Sequence, residues 1–223
     1  MIEINNLSKR YGLFNAISDV SFSVEKGGIV GFLGPNGAGK STTMRILCGC
    51  IGATSGTVYI DGKEISEAPL EIKRRIGYLP ETPPLYPNMT VRNYLCFTAK
   101  LKGVSPQESA QKVIDMVGLS DVSERIILHL SKGYRQRVGI AQALIHDPDI
   151  LVLDEPSSGL DPAQRKEIRT LLAELAQGQI TVILSTHVLA EVESLCSRVV
   201  VISKGQIVAQ DTIAALQQKS QKI

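Results

Sequence analysis

Short apolar runs alternate along the chain with segments in which apolar residues recur every three or four positions. The runs have the length of buried strands, and such alternation is typical of an α/β fold with a largely parallel sheet. The predicted strands of this main sheet are Ile29–Leu33, Ile76–Leu79, Ile150–Leu153, Thr181–Leu184 and Val199–Ile202.

The first part of the chain has a different pattern. Ile2–Leu7, Val20–Val24 and Thr57–Ile60 are short strand-like runs separated by turns, with Asp61-Gly62 as turn residues. Runs of this kind predict an antiparallel β subdomain beside the main sheet.

The segments with helical periodicity predict helices, each with one apolar face. The faces consist of Met44, Leu47, Cys48 and Ile51; of Ala110, Val113, Ile114 and Val117; and of Ile168, Leu171, Leu172 and Leu175. The second helix is predicted to begin at a capping box, residues 105–108, with Pro106 first in the helix, and to end at Gly118. The third is predicted to start at Asp161-Pro162 and to end at Gly178.

No strand is apparent from Thr90 to His146. We therefore predict a single domain over residues 1–223, in which residues 81–147 form an inserted helical subdomain. Residues 1–80 and 148–223 would form the core with its antiparallel β part. The insertion is entered through the proline-rich stretch Leu79–Pro87 and left at Asp147-Pro148.

Composition narrows the choice of partners and compartment. The 223 residues carry 24 basic and 22 acidic side chains, a net charge of +2, so a broad surface for nucleic acid is not expected. Lys73-Arg74-Arg75 is predicted to be a solvated helix face. Apolar runs are far shorter than the roughly 18–20 residues of a membrane-spanning helix. The N-terminus lacks an apolar signal core, which favours the cytosol.

The four cysteines are too scattered for a disulfide framework or a zinc site. We predict that they are inert and packed in the interior.

A glycine-rich stretch matches the phosphate-binding loop pattern G-x-x-x-x-G-K-[ST]. It lies between a predicted strand and a predicted helix, where its backbone N–H groups and the helix dipole would hold a phosphate chain. Lys40 would reach the terminal phosphates and Ser41 would bind Mg²⁺. The predicted nucleotide-binding residues here are Gly34, Pro35, Asn36, Gly37, Ala38, Gly39, Lys40, Ser41 and Thr42.

Two carboxylates, Asp154 and Glu155, follow the buried run Ile150–Leu153. Ligands of parallel sheets bind beyond the carboxyl ends of the strands. Asp154 is therefore predicted to hold the Mg²⁺ shell, and Glu155 to polarise the water that attacks the γ-phosphate. No N-K-x-D motif for guanine occurs, which favours ATP over GTP.

Further motifs resemble those of ABC transporter nucleotide-binding domains, over essentially the whole chain. Residues 130–137 (LSKGYRQR) resemble the family signature Leu-Ser-Gly-Gly-Gln, and residues 158–161 (SGLD) resemble its D-loop. His187 resembles the switch histidine, and Tyr11 the aromatic residue that stacks on adenine. The implied fold is a P-loop NTPase core, with the antiparallel and helical subdomains described above.

The resemblance also implies a head-to-tail pair of subunits, either a homodimer or this chain with a related ATPase subunit. Ser131 and Gly133 would bind the γ-phosphate held by the other protomer, with the N-terminus of the following helix as an anion site. Asp161 would link the two sites, or simply cap the helix that begins at Pro162. His187 would contact the γ-phosphate and orient the water.

The sequence departs from the family pattern at Lys132, where a glycine is usual, at Tyr134, where a glutamine is usual, and at Glu81 in the Q-loop. A carboxylate at Glu81 suits Mg²⁺ because hard cations prefer oxygen ligands. The signature in the form SKGYRQR, residues 131–137, and the Q-loop in the form Pro80-Glu81 resemble those of the branch that serves bacterial exporters with separate ABC-2 type permeases.

The resemblance implies an ATPase (translocase type) with ATP and Mg²⁺ as cofactors, peripheral on the inner face of the cell membrane through a transmembrane permease. An apolar patch of Leu85, Tyr86, Met89 and Tyr94 is a candidate permease contact, the alternative being packing within the helical subdomain. The alternative function is a non-transport ABC ATPase that regulates or remodels another protein.

Overall fold

The computed structural model describes residues 1–177 and 180–215, which form two sheets with helices around them. The strands are β1 (Ile2–Tyr11), β2 (Phe14–Val24), β3 (Ile29–Leu33), β4 (Ser55–Ile60), β5 (Lys63–Glu64), β6 (Ile76–Leu79), β7 (Ile150–Asp154), β8 (Thr181–Thr186), β9 (Arg198–Ser203) and β10 (Gln206–Thr212). The helices are α1 (Lys40–Leu47), α2 (Pro69–Arg75), α3 (Val91–Lys102), α4 (Pro106–Met116), α5 (Lys132–Leu144), α6 (Pro162–Gln177) and α7 (Leu189–Leu195), with 3₁₀ turns at Ser120–Val122 and Ile127–His129.

The main sheet has the strand order β10-β9-β3-β8-β7-β6. Its strands run parallel except for β10, which pairs antiparallel with β9. The predicted strands are all present, and β10 is the addition. Sequence reasoning missed β10 because none of its side chains is fully buried, so it has no continuous apolar run.

The second sheet has the order β2-β1-β4-β5 and is antiparallel throughout, which confirms the predicted antiparallel part. β1 and β2 are longer than predicted and meet in a tight turn at Gly12 and Leu13, where Tyr11 pairs with Phe14. This turn brings two aromatic side chains to one end of the sheet.

Alternate residues of the central strand β7 face two different hydrophobic cores. Val152 packs with the antiparallel sheet and α1, whereas Leu151 and Leu153 pack with the helices on the other side. A strand that is buried on both faces reads as a continuous apolar run. Its carboxyl end, at Asp154, is therefore fixed from both sides.

Two details of the predicted helices are wrong. α1 ends at Leu47 because Gly49, with φ +62°, reverses the chain, so Ile51 lies beyond the helix. Ser105 does precede α4, but its hydroxyl makes no capping hydrogen bond, so the predicted capping box does not form. Gly178, the predicted end of α6, lies outside the described residues.

Between β6 and β7 the chain forms α3, α4, α5 and the two 3₁₀ turns, with one isolated bridge between Thr90 and Ile126. Tyr94 of α3 is only 3% exposed, and its hydroxyl donates to the carbonyl of Pro84 at 3.2 Å. Tyr94 is thus part of the packing of this region rather than of an exposed patch. Tyr86 is exposed and lies edge-on to it.

The cysteines are all free thiols. Cys48 and Cys196 are buried, and burial raises the pKa of each, that of Cys196 to about 12, which keeps them neutral and inert. Cys50 is exposed, so the prediction that it packs in the interior is wrong. In the part of the chain that the structure describes, no helix has both the length and the apolar character to cross a membrane.

Candidate functional site

The glycine-rich loop runs from the end of β3 to the start of α1, between two sheets that leave little room for side chains. A Cβ on Gly34 would lie 2.3 Å from the carbonyl oxygen of Ile202. Gly39 has φ +104°, and its Cβ would lie 2.5 Å from Cγ2 of Ile17. The loop therefore needs glycine at these positions in order to fold against its neighbours.

Lys40, the first residue of α1, is buried, with its ammonium group inside the loop. Its Nζ donates to the carbonyl oxygens of Gly34 at 2.8 Å and Pro35 at 3.1 Å. It also lies 3.1 Å from Oε1 of Glu155. The ammonium group of Lys40 therefore connects the phosphate loop, the start of α1 and the catalytic candidate Glu155.

Glu155 follows β7 and leaves the strand with a positive φ of 49°. Its carboxylate lies between two groups, Nζ of Lys40 at Oε1 and Nδ1 of His187 at 2.8 Å from Oε2. Its own N–H donates to the carbonyl and hydroxyl oxygens of Ser185 at 3.1 and 3.2 Å. The structure therefore brings together the three predicted catalytic residues.

Ser185 was not among the predicted site residues. Its hydroxyl donates to Oδ1 of Asp154 at 2.5 Å and accepts from the N–H of Glu155. It is fully buried on β8, next to β7, and positions both acidic residues. The only sequence signal for it was a polar residue at the end of a predicted buried strand.

Tyr11 and Phe14 extend from the β1–β2 turn to the mouth of the phosphate loop. Both side chains are largely exposed, and Nζ of Lys9 lies 5.3 Å from the centroid of the Tyr11 ring. An exposed aromatic pair beside a phosphate site is suited to stacking on a flat base. Phe14 was missed because its role depends on pairing with Tyr11 across the turn.

The aromatic residues Tyr11 and Phe14, the phosphate loop and Glu155 line one cleft of about 380 Å³, whereas His187, Asp154 and Ser185 lie outside its walls. The predicted site residues on its walls are Tyr11, Asn36, Gly37, Gly39, Lys40, Ser41, Thr42, Glu81 and Glu155. Gly34 and Pro35 contribute the carbonyl groups that hold Lys40, and the carbonyl of Ala38 accepts from the N–H of Gly205 at 3.0 Å.

The predicted magnesium ligands all offer oxygen atoms, which suits a hard cation. Ser41 and Glu81 line the cleft, and Asp154 is buried next to Glu155, which lines it. Within residues 1–177 and 180–215, no three His, Cys, Asp or Glu side chains cluster as a metal site. The donor set therefore fits Mg²⁺ only in the manner usual for nucleotide sites, where phosphates and waters complete the shell.

Ser131, Gly133 and Asp161 do not line this cleft but lie at the starts of α5 and α6. Ser131 precedes α5, and its Oγ accepts from the N–H of Tyr134 at 3.3 Å. Asp161 accepts the N–H of Gln164 at 2.9 Å, so it caps α6. A Cβ on Gly133 would lie 2.9 Å from Cδ of Gln164. The signature region and the D-loop thus pack against each other on a separate surface.

Lys132 reaches across this surface to the D-loop. A Cβ on Gly159 would lie 2.1 Å from its Nζ. The end of the Lys132 side chain thus occupies the space that a side chain at residue 159 would take, and Gly159 also provides the turn, with φ +65°.

Comparison with known proteins settles the family. The family profile described as ABC transporter matches residues 17–158. The chain is 39% identical over 223 residues to the bacitracin transport ATP-binding protein BcrA of Bacillus licheniformis, covering 100% of this chain and 73% of BcrA. This chain belongs to the ABC transporter family.

Two further relatives agree with this. The lantibiotic transport ATP-binding protein SrtF of Streptococcus pyogenes is 38% identical over 208 residues, which is 93% of this chain and 89% of SrtF. The solved dimer of the ATP-binding cassette MJ0796 in a post-hydrolysis state, bound to ADP and Pi, superimposes with a TM-score of 0.86 at 26% identity, over 96% of this chain and 99% of that one. The protein is thus an ATP-binding subunit of an ABC transporter, with the fold and ATPase activity of this family.

Proposed function

We propose that this ABC subunit binds Mg-ATP in a head-to-tail pair, with itself or with a related ATPase subunit, and that hydrolysis drives export through a separate transmembrane permease at the inner face of the cell membrane. The observation that carries the proposal is the carboxylate of Glu155, held 3.1 Å from Lys40 and 2.8 Å from His187 beside the phosphate loop.

The nucleotide would lie along the cleft. Tyr11 and Phe14 would stack on adenine, and the N–H groups at the start of α1 would hold the phosphates, where the helix dipole favours negative charge. Ser41, Asp154 and Glu81 would hold Mg²⁺, which neutralises phosphate charge when bound.

Hydrolysis would depend on two side chains that already touch. Glu155 would accept a hydrogen bond from the attacking water and polarise it, and His187 would orient the same water and the γ-phosphate. Lys40 and His187 contact opposite oxygens of the Glu155 carboxylate and therefore fix its direction. The backbone N–H of Glu155 is held separately, by Ser185.

Pairing is supported by the second surface. The N-terminus of α5 carries Ser131 and Gly133 and lies beside the D-loop, so one contact surface would present both motifs to the partner's nucleotide. The dimeric structure of MJ0796 bound to ADP and Pi supports pairing. Asp161 would then have two roles, capping α6 and linking the sites.

A groove of about 370 Å³ between the helical region and the loop after β6 is the proposed permease contact. Its walls include Glu81, Leu85 and Leu128. Gln136 also lines it, and its amide Nε2 is buried without a hydrogen-bond partner among the described residues. A carbonyl group of a docked segment would satisfy this donor. The names of BcrA and SrtF, which refer to bacitracin and lantibiotic transport, support transport as the output.

The first test is the variant Glu155→Gln, which keeps the shape of the side chain but removes its charge. Because the general base is lost, hydrolysis should fall by a factor of about 10²–10⁴. ATP should then hold the pair closed, so light scattering should show a dimer with Mg-ATP and a monomer without nucleotide. Glu191→Gln is the matched control, since Glu191 is also a buried carboxylate near β8 but lies outside the cleft.

A Glu155→Gln variant that binds ATP but stays monomeric would contradict the paired site. Reconstitution with the permease in liposomes then separates the two functions. Flux of a solute supports export, whereas ATP turnover that changes the permease without flux supports the regulatory or remodelling alternative.

A further inference from the structure

A basic groove lies on the outer side of the chain, where the C-terminal turns of α2 and α3 come together. Its volume is about 630 Å³, and its polar lining consists of Lys73, Arg74, Lys100, Lys102 and His146. No carboxylate lines it. The four permanent cations amount to twice the net charge of the whole chain, which is +2.

These four cations form no ion pair with any residue of the described ranges, 1–177 and 180–215. Arg75, which follows Arg74, does form ion pairs. Arg75 bonds Asp61 at 2.7 Å and Asp149 at 2.8 Å. The nearby acid Asp147 is 3.1 Å from Lys112. The positive charge of the groove is thus not compensated by acidic side chains, whereas the charge of Arg75 is.

His146 adds an unsatisfied polar atom. Its Nε2 is 3.1 Å from the carbonyl oxygen of Ile76, and its Nδ1 is buried without a partner among the described residues. Burial, together with the charge of Lys102, lowers the pKa of His146 to about 4. Burial and Lys73 lower the pKa of Lys102, against the opposing effect of Cys50. His146 is therefore uncharged at neutral pH, and the positive charge of the groove comes from the lysines and Arg74.

Two leucines flank the cations and point to the kind of anion. Leu70 on α2 is 77% exposed and Leu101 on α3 is 71% exposed, each beside the basic residues of its own helix. Cations next to exposed apolar side chains form the pattern of a surface that lies in the interface of a membrane. Aromatic residues, on which nucleic acid bases would stack, do not line the groove.

Cations also suit helix C-termini because they complement the helix dipole. That effect explains the sign of the charge on each helix separately. It does not explain why two such ends meet in one groove without a carboxylate, or why a leucine is exposed on each.

We propose that this basic groove binds the anionic surface of a membrane, with phospholipid phosphates between the lysines and with Leu70 and Leu101 in the headgroup layer. Contact with a permease, as in the proposed function, would hold the chain at a membrane surface. Binding of the groove to anionic lipid does not itself depend on transport. None of these residues lines the nucleotide cleft, so ATP hydrolysis reports separately on the proposed function.

The test is sedimentation of the full chain with phosphatidylcholine vesicles, with and without phosphatidylglycerol. Binding is expected only with phosphatidylglycerol. Arg74→Gln with Lys100→Gln should weaken it by about thirtyfold. Lys166→Gln with Arg169→Gln removes the same charges from α6 and should have little effect. Leu70→Ser with Leu101→Ser should weaken it by about tenfold. All variants should keep wild-type ATPase activity.

Equal losses in the α2/α3 and α6 charge variants would overturn the proposal, because they would show binding through net charge alone. Absence of binding to anionic vesicles would also overturn it, and an acidic segment of a partner protein would become the candidate occupant. Imidazole NMR signals locate the contact. The signal of His146 should shift more than those of His129 and His187 in anionic bicelles, and equal shifts would contradict the groove as the site.

Discussion

Glu155 adopts a backbone conformation that few residues other than glycine favour, and its neighbours stabilise it there. A non-glycine residue with φ near +50° costs of order 1 kcal/mol. Both hydrogen bonds from its N–H go to Ser185, which also binds Asp154. One buried serine thus holds the carboxylate of Asp154 and the backbone of Glu155, so that the two adjacent acidic residues can take the separate roles proposed for them, metal binding and water activation.

Tyr11 and Phe14 are the residues to test for base recognition. Alanine at either position should raise the Kd for ATP by about tenfold, because loss of one aromatic face on a base costs roughly 1–3 kcal/mol. Binding of a fluorescent ATP analogue measures this. Leu13→Ser is the control, since Leu13 lies in the same turn and is fully exposed. Unchanged affinity in both alanine variants would mean that the base lies elsewhere.

At the scale of elements, the site uses the starts of helices α1 and α5, and a glycine lies at or near each start. Gly39 allows the turn into α1, and Gly133 allows α5 to pack on the first turn of α6. Free N–H groups at these ends are the anion sites that the proposed function needs. The start of α5 therefore packs against the D-loop and the first turn of α6, and the signature and the D-loop lie on the same surface.

Gly133→Ala tests this packing. Its Cβ would lie 2.9 Å from Cδ of Gln164, a half-buried side chain that would have to shift and so disturb the contact between α5 and α6. In the Glu155→Gln background, ATP-dependent pairing should weaken by about tenfold while ATP binding remains. Adding Gln164→Ala should restore pairing because it removes the clash. No restoration would mean that phosphate itself requires glycine there. Gly52→Ala, with open space around it, is the control.

At the scale of the whole molecule, a cluster of charges ties the two sheets together at the end away from the nucleotide cleft. Asp61, after β4, is bonded to the amino group of Met1, to Arg75 and to Lys26. Arg75 in turn binds Asp149, just before β7. The amino group of Met1, then Arg75 and Lys26, hold the pKa of Asp61 well below its usual range.

Asp61→Asn should therefore destabilise the fold in a pH-dependent way. A lowered folded-state pKa gives stability above the unfolded value, about 3.9, and this stability is lost as the pH falls further. At pH 7 the loss should be about 1 kcal/mol, or 2–4 °C in Tm, since exposed pairs are weak. The difference should shrink below about pH 4 in thermal scans. Asparagine tolerates the positive φ of 49° at this position. Glu25→Gln, which breaks a single exposed pair with Arg198, should change Tm less.

The sequence by itself determined the parts of this protein that follow from local pattern. Continuous apolar runs identified the strands of the main sheet, because a strand that is buried on both faces leaves no alternation. The phosphate loop and Asp154-Glu155 were recognisable because their chemistry needs fixed residue types at fixed spacing, and the signature, D-loop and His187 because they resemble a family. Each of these signals lies within a few consecutive residues.

The tertiary structure decided what depends on residues that are distant in the chain. Phe14 joins the cleft only because it pairs with Tyr11 across a turn, and Ser185 reaches Asp154 only because β8 lies beside β7. The basic groove exists because the ends of α2 and α3 meet; Arg74 lines it, while the adjacent Arg75 is ion-paired with Asp61. The periodicity of apolar residues predicts which face of a helix or strand is buried. Which elements share a surface is decided only by tertiary packing, because contacts between residues distant in the chain leave no local sequence pattern.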